Sequence, residues 1–167
     1  MQVTKTKLDK VLLLKPDVFE DHRGTYVEIY NEREFHEAGI DLKFVQDDVS
    51  TSSKNVLRGL HGDPTTWKLI SCLYGKFYFV VVNCEEGSKQ FHQWQGFTLS
   101  DRNKWQVLVP PNFANGHLVL SNQTVFHYKQ TTYYDRKSQY TIRWDNPEIG
   151  VWWPIKNPIL SERDDKA

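Results

Sequence analysis

The stretch KLISCLYGKFYFVVVNC, residues 68–84, decides the fold class of this chain. It holds two apolar pieces rich in residues that favour strands, and Tyr74-Gly75 provides the turn signal between them. Similar strand-like pieces surround it at 43–52, 92–100, 104–110, 116–122, 124–134 and 140–146. So many short strands at regular spacing, with scarcely any helix, predict an all-β sandwich or barrel.

The two ends of the chain carry their own signals. Residues 10–30 contain short strand-like pieces that are broken by Pro16 and by turn residues 21–24. The segment NEREFHEAG, residues 31–39, predicts one helix with Asn31 as its cap and Gly39 at its end. The proline-punctuated stretch 147–167 is expected to wrap the β-structure and to end in a frayed, charged tail at 165–167. We expect one domain over residues 1–167.

Composition excludes several classes of function. Lys plus Arg equals Asp plus Glu at 21 each, so no overall field favours nucleic acid or an anionic membrane. A local cluster of Arg and Lys would still bind a small anion. The start lacks the apolar core of a signal peptide, and no apolar run approaches the roughly 18 residues of a membrane span. We therefore expect a soluble, cytoplasmic protein.

The cysteines and histidines do not predict a metal site. Cys72 and Cys84 are single thiols, and the chain has neither a CxxC motif nor a Cys/His spacing typical of zinc sites. The six histidines include no His-x-His pair. The sequence thus predicts a metal-free protein.

The octapeptide VLRGLHGD, residues 56–63, leaves two interpretations open. Strict alternation along a strand would place Arg58 and His61 on opposite faces. Gly59 and Gly62 would permit a bend that brings both side chains to one cavity. The segment is therefore either an edge strand that ends in a turn or part of a polar pocket at the mouth of a β-structure.

Seven strings, in this order and spacing, resemble the nucleotide-sugar 3,5-epimerases of the dTDP-4-dehydrorhamnose 3,5-epimerase family. They are FEDHRGTYVEIY (19–30), FVQDDVSTSSKNVLRGLHGD (44–63), WKLISCLYG (67–75), LVPPNFANGHLVLS (108–121), YKQTTYY (128–134), IRWDNPEIGVWWP (142–154) and LSERD (160–164). The resemblance implies a jelly-roll, cupin-type barrel that forms a homodimer with exchanged N-terminal strands. It also implies a nucleoside-diphosphate 4-keto sugar as substrate, with no cofactor.

The resemblance assigns a role to four catalytic candidates. His61 matches the family base, and Asp164 matches the carboxylate that orients it. Tyr128 matches the proton donor, and Lys68 matches a lysine near the sugar and the enolate. Without the resemblance, Asp164 would be read as a solvated tail residue and Tyr128 as a half-buried strand aromatic.

The resemblance also implies a set of substrate contacts. Arg58 matches a sugar and phosphate contact, and Tyr134 matches the tyrosine that stacks on the nucleobase. Arg23, with Glu28, matches an arm contributed by the partner subunit. The remaining expected substrate contacts are Gln46, Asp48, Asn115, His117 and Arg163.

Some of these positions depart from the usual family pattern. Asp48 follows Gln46 where the family usually has QxN, and Asn115 stands at the position of a second family histidine. RGLHGD and PPNFANGH resemble a branch that acts on GDP-linked 4-keto heptoses. The nucleotide, the choice of hexose or heptose, and inversion at C3, C5 or both therefore stay open.

Two other functions are compatible with the same barrel. Sugar-nucleotide 3,4-ketoisomerases show two histidines in an RGxHAHK-like string, whereas this chain has one histidine there. A non-catalytic jelly roll that binds sugar nucleotides would be indicated by loss of His61, Tyr128 or Asp164. All three are present.

Overall fold

The computed structural model describes all residues from Met1 to Ala167. Thirteen strands and two short helices follow one another along the chain. They are β1 (Gln2–Lys5), β2 (Leu12–Lys15), β3 (Val18–Asp21), β4 (Gly24–Val27), α1 (Glu32–Glu37), β5 (Gln46–Ser53), β6 (Leu57–Gly62), β7 (Lys68–Tyr74), β8 (Lys76–Asn83), β9 (Trp94–Ser100), β10 (Gln106–Val109), β11 (Phe113–Val119), β12 (Gln123–Gln130), β13 (Tyr140–Thr141) and α2 (Glu162–Asp165).

Two antiparallel sheets form the body of the protein. The first sheet has the order β1-β2-β10-β7-β12-β5, and the second has the order β13-β6-β11-β8-β9. The main core lies between them, because it combines side chains such as Ile70 and Phe126 of the first sheet with Phe79 and Phe113 of the second. This is the predicted jelly-roll architecture, and the expected fold class is confirmed.

The apolar run in β8 reflects burial on both faces of the second sheet. Phe77, Phe79 and Val81 point into the main core, whereas Val80 and Val82 belong to a second buried cluster. That second cluster includes Ile149 and Trp153 of the C-terminal stretch. The prediction that this stretch wraps the β-structure is therefore confirmed.

The predicted helix forms where its capping residues place it. The Asn31 side chain accepts a hydrogen bond from the Arg33 backbone N–H, and Gly39 follows the helix with φ +81°. Phe35 is the buried residue of α1, and it packs with Ile40 in a cluster that also contains Leu69 of β7. The helix thereby covers the outer face of the first sheet.

Several element boundaries differ from those expected. β1 is not among the strands expected from the sequence, and it pairs with β2 at the edge of the first sheet. β12 ends at Gln130: the Thr131 backbone N–H still donates to the Trp67 carbonyl oxygen, but the Trp67 backbone N–H donates to the Thr131 hydroxyl instead of to a backbone carbonyl. The expected tail begins with a helical turn, since α2 extends through Asp165.

The hairpin β3–β4 makes a two-stranded sheet of its own. Val18, Phe19 and Tyr26 on this hairpin are 43%, 63% and 66% exposed. Such exposure of large apolar side chains is typical of a surface that another molecule covers.

No helix in the structure has the length and apolar character that crossing a membrane requires.

A bend in β6 decides between the two interpretations of VLRGLHGD, residues 56–63. Gly59 has φ +120°, and β11 shifts its register against β6 between Asn115 and His117. A Cβ atom on Gly59 would lie 2.6 Å from Gly116 Cα and 2.7 Å from the Asn115 carbonyl oxygen. β6 is flanked by β13 and β11, so it is not an edge strand.

We expect Gly59→Ala to destabilise the protein more than Gly87→Ala does. Gly87 also has a positive φ, +80°, but its Cβ site meets no atom within 4 Å. Each substitution should cost about 1–2 kcal/mol for the left-handed backbone. Gly59→Ala should cost roughly 1–3 kcal/mol more because the new methyl group meets backbone. Urea denaturation measures both free energies, and equal losses would show that the close approach to β11 is unimportant.

Candidate active site

One cleft of about 440 Å³ collects most of the residues that the sequence singled out. Nine of the thirteen predicted site residues line it: Arg58, His61, Lys68, Asn115, His117, Tyr128, Tyr134, Arg163 and Asp164. Arg58 and His61 therefore do reach one cavity, and the polar-pocket interpretation of VLRGLHGD is confirmed.

A hydrogen-bonded pair of His61 and Asp164 forms one wall of the cleft. His61 Nε2 lies 2.6 Å from Asp164 Oδ1, and the Asp164 side chain is only 2% exposed. A proton on Nε2, donated to Asp164, leaves Nδ1 as the basic ring nitrogen of His61. Asp164 is thus a buried partner of the histidine and not a solvated tail residue.

The C-terminal segment holds Asp164 in place through backbone and side-chain bonds. The backbone of Ile159 donates to the Asn55 carbonyl just before β6 and accepts from the N–H of Leu57, the first residue of that strand. Ser161 caps α2, accepting from the Asp164 backbone N–H, and its hydroxyl donates to Asp164 Oδ2 at 2.9 Å. The position of the carboxylate is therefore fixed by a strap that runs beside β6.

The pKa of Asp164 lies below its ordinary value. Burial acts to raise this pKa, but the hydrogen bond and electrostatic interaction with His61, together with the bonds from the Ser161 hydroxyl and the Gly59 backbone N–H, lower it further than burial raises it. The carboxylate therefore stays ionised, and it is able to stabilise a protonated His61 ring.

Tyr128 faces the cleft from the opposite sheet. It lies on β12 of the first sheet, whereas His61 lies on β6 of the second. Burial, with a further contribution from the neighbouring charge of Asp48, raises the pKa of Tyr128. The phenol consequently stays protonated and can donate a proton at neutral pH.

The cleft carries an excess of positive charge. Arg58, Lys68, Arg136 and Arg163 line it, whereas Asp164 is its one carboxylate and is paired with His61. Arg58 bonds to the Ser52 hydroxyl, and Lys68 is 7% exposed with a pKa lowered by burial. Cations held without carboxylate partners favour an anionic ligand.

His117 and Asn115 shape the floor of the cleft. His117 is 4% exposed, stacks on Phe126 at 4.1 Å between ring centroids, and has a pKa lowered by burial to about 3. It is therefore neutral, and its buried Nε2 has no hydrogen-bond partner. Asn115 Nδ2 donates to the His61 carbonyl oxygen at 3.2 Å, which ties β11 to the strand that carries the histidine.

Four predicted site residues do not line this cleft. Arg23 lies on the β3–β4 hairpin and pairs with Asp21, and Glu28 follows that hairpin. Gln46 accepts from the Tyr134 backbone N–H at 2.9 Å and donates to Asp48 at 2.8 Å. These two residues of β5 thus support the segment that carries Tyr134, and they do not reach the cavity themselves.

The structure adds residues that the sequence analysis did not identify. Ser50, Ile70, Gly116, Phe126, Arg136, Gln139 and Ser161 complete the lining. Ser161 could have been identified from the sequence as a helix N-cap, because a serine three residues before an aspartate is a helix-capping pattern. Arg136 and Gln139 lie in a loop between β12 and β13, where no local pattern indicates which side chains turn inwards.

The histidines and carboxylates do not assemble into a metal centre. No group of three or more His, Cys, Asp or Glu side chains converges in the structure. Freedom from metal and cofactor stays a prediction from the sequence.

Comparison with known proteins identifies the relatives of this chain. The family model of dTDP-4-dehydrorhamnose 3,5-epimerase matches residues 5–167. The dTDP-4-dehydrorhamnose 3,5-epimerase of Salmonella typhimurium is 43% identical over 172 residues, covering 100% of this chain and 94% of that protein. The enzyme of the same name from Shigella flexneri is 40% identical, covering 98% of this chain and 93% of that protein.

A solved structure shares the fold over almost its whole length. It is the dTDP-6-deoxy-D-glucose-3,5-epimerase of Legionella pneumophila in complex with dTDP-4-keto-L-rhamnose, and it matches with a TM-score of 0.95. The two chains are 38% identical, and the match covers 99% of this chain and 90% of the Legionella chain.

We expect Ser161→Ala to lower the free energy of unfolding at pH 7 by about 1–3 kcal/mol, because a buried carboxylate loses a donor. The folded-state pKa of Asp164 lies below its unfolded value of about 3.9, so this stabilisation is complete above that pH. The stabilisation is lost as the pH falls through the folded-state pKa of Asp164. The difference in unfolding free energy between the wild type and Ser161→Ala should therefore shrink in that range. Ser161→Thr keeps both hydroxyl bonds and serves as the control. Equal unfolding of all three proteins at pH 7 would contradict the role of Ser161.

Proposed function

Because the chain belongs to the dTDP-4-dehydrorhamnose 3,5-epimerase family, we propose that it inverts C3, C5 or both carbons of a nucleoside-diphosphate 4-keto sugar. It is an isomerase by class, and the activity would serve the synthesis of deoxysugars or surface polysaccharides. One observation carries the proposal: the His61–Asp164 pair and the phenol of Tyr128 face one cleft from opposite sheets.

The chemistry begins with the C4 ketone, which acidifies the protons on C3 and C5. His61 removes one of these protons, and the electron pair of the C–H bond moves into an enolate with its charge on the C4 oxygen. Asp164 stabilises the imidazolium that forms, and the Lys68 ammonium stabilises the enolate. Tyr128 then gives its proton to the opposite face of the carbon. Inversion is complete when solvent returns His61 and Tyr128 to their starting protonation states.

The cations and the aromatic residue at the mouth suit the rest of the substrate. Arg58, Lys68 and Arg163 would hold the sugar and diphosphate, and Tyr134, 47% exposed, would stack on the base. The relatives are named for dTDP-linked sugars, so a dTDP-4-keto sugar is the first substrate to test. A GDP-linked sugar is the second, because Asp48 and Asn115 depart from the usual family residues.

Two alternatives are less well supported. A 3,4-ketoisomerase does not fit the family match or the single histidine of the RGLHGD string. A binding protein without turnover would have no need of a buried Asp164 aligned on His61. The cytoplasmic location expected from the sequence stays a prediction.

We also propose that the protein acts as a homodimer in which the β3–β4 hairpin covers a partner. The hairpin exposes Val18, Phe19 and Tyr26, and it pairs with no other strand of its own chain. Arg23 and Glu28 would then contribute to the partner's cleft. This arrangement would explain why neither residue lines the cleft of its own chain.

We expect His61→Asn and Tyr128→Phe to fail in different ways when a dTDP-4-keto sugar is incubated in D2O and followed by NMR. His61→Asn should lose both turnover and exchange of the C3 and C5 protons, because no proton is removed. Tyr128→Phe should block inversion and yet retain exchange, if His61 returns a solvent-derived deuteron to the original face. Losses of 10²–10⁴-fold in turnover are usual for a general acid or base.

The matched control is His36→Asn, since His36 lies on α1 and contacts Asp41 away from the cleft. It should leave epimerisation unchanged. Exchange at the wild-type rate in His61→Asn would refute the base assignment. A panel of dTDP-, GDP- and CDP-linked 4-keto sugars run with the wild-type protein identifies the nucleotide.

We expect the wild-type protein to be a dimer at micromolar concentration by light scattering, with an interface of roughly 2,000 Å² or more. Phe19→Asp should weaken this dimer and reduce activity, because a charge would enter the buried interface. Phe91→Asp is the control, since Phe91 is a comparably exposed aromatic outside the hairpin, at 43%. A fully active monomeric wild-type protein would contradict the proposal.

A further inference from the structure

A short turn after Tyr134 projects Arg136 into the cleft. The backbone of this turn is closed by the Ser138 N–H, which bonds to the Asp135 carbonyl, and by the Lys137 N–H, which bonds to the Asp135 carboxylate at 2.9 Å. The Ser138 hydroxyl oxygen also lies 2.8 Å from the Asp135 carbonyl oxygen, which shares the one hydroxyl proton with Asp63. The segment is therefore a defined structure and not a free loop.

A buried carboxylate anchors this turn beside the active site. Asp63 is 6% exposed, and its Oδ2 accepts from the Ser138 hydroxyl at 2.9 Å. Its Oδ1 accepts from the backbone N–H groups of Thr65 and Thr66. Asp63 comes two residues after His61, so one rigid junction holds both the strand of the base and the turn that carries Arg136.

Arg136 has no acidic partner within the chain. No ion pair or side-chain hydrogen bond involves its guanidinium, although the nearby Arg143 pairs with Asp145 at 2.7 Å. Arg163, on the same cleft, is held only by the neutral groups of Thr141 and Gln139. Two guanidinium groups without carboxylates thus face the cleft on the side of β13.

We propose that Arg136 is a further substrate-binding residue, which grips the diphosphate of the nucleotide sugar together with Arg163. The inference rests on the proposed function for the identity of the ligand. The diphosphate joins the sugar, which lies at His61 and Lys68, to the base, which stacks on Tyr134. Arg136 follows Tyr134 by two residues, so it lies where the linking group must pass. A guanidinium suits this place because its planar fork binds phosphate oxygens in pairs.

The test measures binding and turnover separately, with dTDP and inorganic pyrophosphate as probes in calorimetry. Arg136→Gln should weaken binding of both probes by tenfold or more and raise KM for the 4-keto sugar by a similar factor. Its kcat should change by less than twofold, because Arg136 does not touch the reacting carbons. Arg136→Lys should recover only part of the affinity, since a lysine lacks the fork.

Lys137→Gln is the matched control, because Lys137 is the neighbouring exposed cation and does not line the cleft. It should bind both probes like the wild type. Ser138→Ala, which frees the turn from Asp63, should raise KM by a few-fold while kcat is kept.

The outcomes separate the inference from the proposed function. Binding of dTDP and pyrophosphate that depends on Arg136, in a protein that epimerises no 4-keto sugar, would support the inference and refute the function. If the wild-type protein epimerises a 4-keto sugar, and Arg136→Gln binds dTDP and pyrophosphate as tightly as Lys137→Gln does, the inference is refuted and the proposed function stands. A wild-type protein that binds neither probe would also overturn the inference.

Discussion

The hydrogen bond between His61 and Asp164 is the interaction on which the site depends. The two residues are 103 positions apart, so the bond forms only after the C-terminal stretch has folded over the second sheet. Ile149 and Trp153 attach that stretch to the sheet, and Ser161 then fixes the carboxylate. Because Asp164 is buried, losing the histidine would leave a carboxylate with reduced compensation for its desolvation.

A second constraint is the bend of β6 at Gly59. A regular strand would separate Arg58 from His61 by turning one of them away from the cavity. The positive φ of Gly59 and the register shift in β11 bring both to the same cleft, and the close approach to Gly116 excludes a side chain there. The irregular part of the sheet is therefore the part that builds the site.

The positive charge collected in the cleft is unfavourable in the free protein. Lys68 is buried and forms no ion pair, although the charge of Asp63 acts on it, and Arg58 and Arg163 bond only to neutral groups. Such groups repel one another when no anion is bound. His61 and Tyr128 lie on different sheets and line the same cleft. In the mechanism that we propose, this placement would let the two groups act on opposite faces of a sugar bound between them.

The elements that depend on local chemistry were predictable from the amino-acid sequence alone. The apolar pieces on either side of Tyr74-Gly75 form β7 and β8, and α1 lies between its cap Asn31 and Gly39. These elements were predictable because turns, caps and burial patterns act over a few residues. The strings that resemble the family also identified His61, Tyr128 and Asp164 as site residues, and all three line one cleft in the structure. The burial of Asp164 and the inward direction of Arg136 could be recognised only in the folded protein. Both depend on contacts between distant segments: Asp164 with His61 in the first case and Ser138 with Asp63 in the second. No local pattern encodes such contacts, since they are set by how the sheets and the C-terminal strap pack together.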